Sequence, residues 1–135
     1  MEITALFLEA KPRTNIKEIK LDLESEAFLQ KCHELIETST IDIVKRTIAG
    51  KDYRIVVDVM GRLRENPKIT YDGRATGEGI LVGNIIIVGA EKPGGDEVTS
   101  LSKADIKRVQ RDLFWNINHT NAKIYLQIIT KEGKK

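Results

Sequence analysis

One run constrains this chain more than any other: Ile80-Leu-Val-Gly-Asn-Ile-Ile-Ile-Val-Gly89. It is apolar, rich in β-branched side chains and punctuated by glycine, a composition that suits a strand buried in a core. It falls far short of the ~20 apolar residues that a transmembrane helix needs, and no other stretch approaches that length. Past a polar, glycine-bearing gap, Ser100-Leu-Ser-Lys-Ala-Asp-Ile106 reads as the start of a helix. There Ser102, with Asp105 three residues on, approximates a capping box, in which each residue satisfies the other's backbone amide.

A chain of 135 residues is long enough to bury such a strand in a single core without disulfides or metal. The expectation is one domain over residues 1–130, with the charged tail 131–135 frayed. Hydrophobic residues make up 41% and charged residues 31%, a balance that sets the chain apart from disordered sequences. A net charge of +2 does not by itself demand a polyanionic partner. Cys32 is the only cysteine, so an intrachain disulfide and a cysteine-rich metal site are both excluded. No cofactor is implied. The segment Met1–Glu9 lacks the basic leader of a signal peptide, which predicts a cytoplasmic protein and no membrane partner.

Periodicity supplies the remaining elements. Residues 2–8 read as a strand. In 16–23 the alternation of Ile19, Leu21 and Leu23 predicts a half-buried second strand. Ser25 or Asp22 is the candidate cap of a helix whose stripe is Phe28, Leu29, Cys32, Leu35 and Ile36. Residues 38–48 and Tyr53–Val59 form a hairpin turned at Gly50-Lys-Asp52. Residues 66–79 are expected to be irregular, 80–88 one continuous strand, and 102–117 a second helix with Ile106, Val109, Leu113 and Ile117 inward. Lys123–Ile129 reads as a last strand. Short connections favour antiparallel neighbours. The predicted class is therefore α+β, a mostly antiparallel or mixed sheet covered by two helices, both expected on one face.

Candidate sites follow from residue chemistry. Arg62, Arg64, Lys68, Arg74 and Thr76 crowd one irregular segment, and their cations and hydroxyl suit a phosphate or a carboxylate. The Gly73–Gly79 run lacks the Gly-Lys-Ser/Thr ending of a phosphate-binding loop and is followed by a strand, which argues for a surface loop. Lys103, Lys107, Arg108 and Arg111 line the polar side of the second helix, the alternative site, for nucleic acid. Cys32 sits in an apolar stripe and reads as a small buried hydrophobe. Cys32 and His33 are adjacent on a helix and point about 100° apart, so they cannot form a catalytic dyad with each other. No paired-carboxylate, Gly-x-Ser-x-Gly or His-Glu-x-x-His pattern occurs, and a non-enzymatic protein is expected.

Four segments in order carry a resemblance: Val57-Asp58, Gly61-Arg-Leu-Arg-Glu-Asn-Pro67, Val82-Gly-Asn-Ile-Ile-Ile-Val-Gly89 and Thr99-Ser-Leu-Ser-Lys-Ala-Asp-Ile106. The order resembles an uncharacterised family of small domains encoded mainly by phages, prophages and conjugative elements. Members join a "Gly-x-Leu … Asn-Pro" turn to a "Gly-Asn/Thr-x-x-Ile-Val-Gly" strand and a "Ser-Leu-Thr/Ser" helix start. The match covers about residues 14–112. Residues 68–79 depart from it in being more polar and richer in glycine. The resemblance implies no catalytic residue; it implies an accessory protein inside a bacterial host cell, binding a host protein or an anionic small molecule, in an anti-defence role. A nucleic-acid-binding module and a small enzyme are the alternatives. A homodimer is also expected, with Trp115 or Tyr125 as anchors.

Overall fold

The computed structural model describes residues 2–10, 16–48, 50–60, 69–72, 80–90 and 98–111. Its elements in chain order are β1 (Glu2–Leu8), β2 (Lys17–Asp22), α1 (Ser25–Ile36), β3 (Ile41–Ile48), β4 (Lys51–Asp58), β5 (Ile69–Asp72), β6 (Ile80–Val82), β7 (Ile85–Ala90) and β8 (Val98–Thr99). A second helix, α2, follows over residues 103–111.

Five strands lie in the order β2-β1-β7-β4-β3, and every described pairing is antiparallel. Gly89 on β7 pairs with Tyr53 of β4 on one edge and with Thr99 of β8 on the other, so β8 extends the β1 side. The predicted α+β class with a mostly antiparallel sheet is what the chain adopts. Gly89 also has a steric reason to be glycine. A Cβ there would lie 2.6 Å from the Thr99 hydroxyl and 3.1 Å from two backbone carbonyl oxygens.

Side-chain alternation sorts the core into two clusters, one per face. Leu6, Leu8, Tyr53, Ile55, Val57, Ile85 and Ile87 share one face with Leu81 of β6, with Leu101 just before α2 and with Val109 inside it. Ala5, Phe7, Val56, Ile86 and Val88 share the other with Phe28, Cys32 and Ile36 of α1. The two helices therefore cover opposite faces, not the same one. Strands whose every side chain is buried demand a cover on both sides: residues 85–89 of β7 and 53–57 of β4 are buried without a break.

Four local readings change. The run 80–89 is not one strand: Gly83 takes φ +87° and breaks it into β6 and β7. β6 then turns away to pair with β5, which lies inside the stretch expected to be irregular. Neither Ser25 nor Asp22 is the N-cap of α1; Glu24 holds that place without a side-chain cap, and Asp22 Oδ1 instead accepts the Glu24 amide at 3.0 Å. Leu29, expected in the apolar stripe, is 46% exposed. Its neighbours Phe28, Cys32 and Ile36, at helical spacing, bury themselves and turn it outward. The predicted last strand and the tail lie outside the described residues.

Candidate functional site

The capping box at the start of α2 forms, and it does more than cap. Ser102 Oγ accepts the Asp105 amide at 3.1 Å, while Asp105 Oδ2 accepts the Ser102 amide at 3.0 Å and its hydroxyl at 2.9 Å. This is the reciprocal exchange that satisfies two backbone donors at the start of the helix. The second carboxylate oxygen reaches across to the sheet. Asp105 Oδ1 accepts Lys51 Nζ at 2.6 Å, Tyr53 OH at 2.9 Å and Arg108 Nη1 at 2.9 Å. Arg108 Nη1 also donates to Tyr53 OH at 2.9 Å.

The local sequence explains why these groups meet. Lys51 and Tyr53 are two apart on β4, so they point to the same face, the one α2 covers. Asp105 and Arg108 are three apart on the helix, hence neighbours on its surface. Lys51 Nζ stands 5.8 Å from the centre of the Tyr53 ring, within cation–π range. Arg46 of β3 lies directly opposite Tyr53 and so adds a third cation to this face. Its buried Nε has no hydrogen-bond partner.

Burial alone would raise the Asp105 pKa. The hydrogen bonds from Lys51, the Ser102 amide, Tyr53 and the Ser102 hydroxyl outweigh it and hold the carboxyl well below the usual carboxylate range. Asp105 is thus a fixed anion with its oxygens occupied by donors, unsuited to take a proton as a general base. Burial pushes the Tyr53 phenol up; donation from Arg108 opposes this, and the Asp105 carboxylate reinforces it. That proton is committed to Asp105. The cluster is a tether that fixes α2 to the β3–β4 hairpin and orients Lys51 and Arg108.

Outside the tether, α2 is basic. Residues 98–111 carry Lys103, Lys107, Arg108 and Arg111 against the single carboxylate Asp105. Lys103, Lys107 and Arg111 are exposed and spaced four apart, so they follow one row along the helix. Of the residues proposed for nucleic acid, the structure places these three on one row and draws Arg108 partly into the tether. Arg62, Arg64, Lys68, Arg74 and Thr76 lie outside the described residues, as do Trp115 and Tyr125. Cys32 is fully buried, and burial pushes its thiol up to about 11, which fits a packing role. None of the described helices is long and apolar enough to cross a membrane.

Sequence reasoning found the cap but missed Lys51 and Tyr53 as its partners. The available signal was the i, i+2 pair of a cation and a tyrosine opening a strand just after a glycine turn.

The family model for DUF3846, a domain of unknown function, matches residues 3–113. The chain belongs to this family. The match takes in the described sheet apart from Glu2, and both helices as described, so the tether lies inside the family domain. No curated protein and no solved structure matches the chain.

Proposed function

We propose that this DUF3846 domain is a non-enzymatic binding protein whose anionic partner docks along the outer row of α2. One observation carries the reading. Lys103, Lys107 and Arg111 share a solvent-facing row, and the helix's lone described carboxylate, Asp105, is turned inward and already occupied. Like charges four apart on a helix repel by roughly 0.2–0.5 kcal/mol per pair. An anion lying along the row would turn that repulsion into attraction. Arg108 and Lys51, held by Asp105 at the edge of the row, present a cationic flank of fixed geometry.

Evenly spaced cations without aromatic side chains among them suit a phosphate backbone better than stacked bases. The ligand favoured is therefore a nucleic acid gripped by its phosphates. Fluorescence anisotropy with single- and double-stranded oligonucleotides tests it. Binding is expected at low salt, falling linearly in log–log form with salt, and weakened in the triple variant Lys103→Gln, Lys107→Gln, Arg111→Gln. Absence of any salt-dependent binding at low ionic strength would dispose of the reading.

The resemblance to domains of phages, prophages and conjugative elements supports a wider context, a cytoplasmic accessory protein of a mobile element acting on host defence; the homodimer is expected separately, from apolar edge strands that pair symmetrically. Gene neighbourhood tests the first part and solution scattering mass the last.

A further inference from the structure

Arg54 carries a charge that the fold described above does not use. It sits on the α1 side of the sheet and is 1% exposed, two residues from Val56 on its own strand and opposite Val88 of β7. Its Nη1 donates to the Tyr53 carbonyl at 3.2 Å. Its Nε and Nη2 are buried and have no hydrogen-bond partner. Arginine, unlike lysine or histidine, cannot shed its charge when buried.

The identity of the two nitrogens matters. Nε–H and the adjacent N–H of Nη2 point the same way and form the side edge of the guanidinium fork, which takes two oxygens of one carboxylate or phosphate in parallel bonds. The internal bond to Tyr53 uses the nitrogen outside that edge. A second observation points the same way. Lys45 lies directly opposite Arg54 in the β3–β4 register and shares its face. The register thus sets a second cationic side chain on the face where the open Arg54 edge lies.

We propose that the Nε–Nη2 edge of Arg54 forms an anion site for a small oxyanion that presents two oxygens, the group shared by phosphates and carboxylates. Val56, two residues along β4, and Val88, opposite on β7, share the face of Arg54 and are fully buried, so a charge pair there is stronger than in water. The site is on the opposite face of the sheet from α2, so it stands or falls independently of the proposed nucleic-acid surface. Because Arg54 is closed to solvent, entry requires local opening and association is slow.

The test uses the full chain, labelled with nitrogen-15, titrated with inorganic phosphate and separately with succinate, each against chloride at equal ionic strength. The Arg54 Nε–Hε signal, assigned through bonds to its own backbone, is expected to shift saturably with one or both anions. The melting temperature is expected to rise with the same concentration dependence. Phosphate alone would identify a phosphate-bearing ligand, and succinate alone a carboxylate. Arg54→Lys keeps the charge and the stem but not the fork. It is expected to need about tenfold more anion for the same rise, the worth of one charge-assisted hydrogen bond. The proposal is overturned if neither anion moves the wild-type Arg54 signal beyond the chloride control, or if Arg54→Lys responds at the wild-type concentration.

Discussion

Two buried charges on opposite faces of one sheet are handled in opposite ways. Under α2, Asp105 is surrounded by donors from its own cap and from β4. Under the α1 side, Arg54 is equally hidden and two of its three nitrogens go unmatched. The positions are adjacent in the chain: Tyr53 serves the first face, Arg54 the second. A satisfied buried charge works as a tether. An unsatisfied one costs stability unless something outside the fold supplies the missing acceptor.

Removing each charge should therefore move stability in opposite directions. Asp105→Ala is expected to have the largest effect, a loss of about 3 kcal/mol in urea denaturation. That is the low end for breaking a buried pair, since Lys51 is half exposed and can turn to water. Asp105→Asn, which keeps the shape and one acceptor, should lose about half as much.

Acid gives a second view of the same group. The folded Asp105 has a depressed pKa, so its contribution is whole above the unfolded value near pH 4 and is lost as pH falls below it. Wild-type stability should drop across that acid window, and Asp105→Asn should flatten the part of the slope that Asp105 supplies.

On the other face, Arg54→Met in anion-free buffer should gain about 1–2 kcal/mol, because an apolar side chain of similar length replaces an unmatched charge. A loss instead would erase the contrast between the faces. Gly89→Ala should cost about 1–2 kcal/mol, as its methyl group must push Thr99 and two carbonyls away. The triple glutamine variant of the α2 row should change stability by less than about 0.5 kcal/mol, because these side chains are solvated.

Much of the fold was legible from the chain. The β3–β4 hairpin announced itself through Gly50 and flanking β-branched residues, and the α2 start through Ser102 and Asp105. What escaped was long-range. Asp105 looks like a cap because its partner Ser102 is three residues away; Lys51 and Tyr53 lie over fifty residues back, beyond any periodic signal. Gly83 inside an apolar run can be strand or turn by composition, and only its positive φ decides. Arg54 was hidden by habit: a charge within Tyr53–Val59 is read as the exposed side of a strand, and here both sides are covered. The placement of the helices on opposite faces follows from the same fact.

The strand order has a consequence for how the chain reaches this state. β1 with β2, and β3 with β4, are hairpins that close locally, yet neither touches the other in the ladder; β7 joins them from between. Isolated hairpins are marginal in water. Until residues 85–90 insert, the two hairpins share no ladder and meet through the contacts that α1 makes with β2, β3 and β4. Folding then turns on a single late insertion that seals both halves at once, a high-contact-order step that should be slow and cooperative.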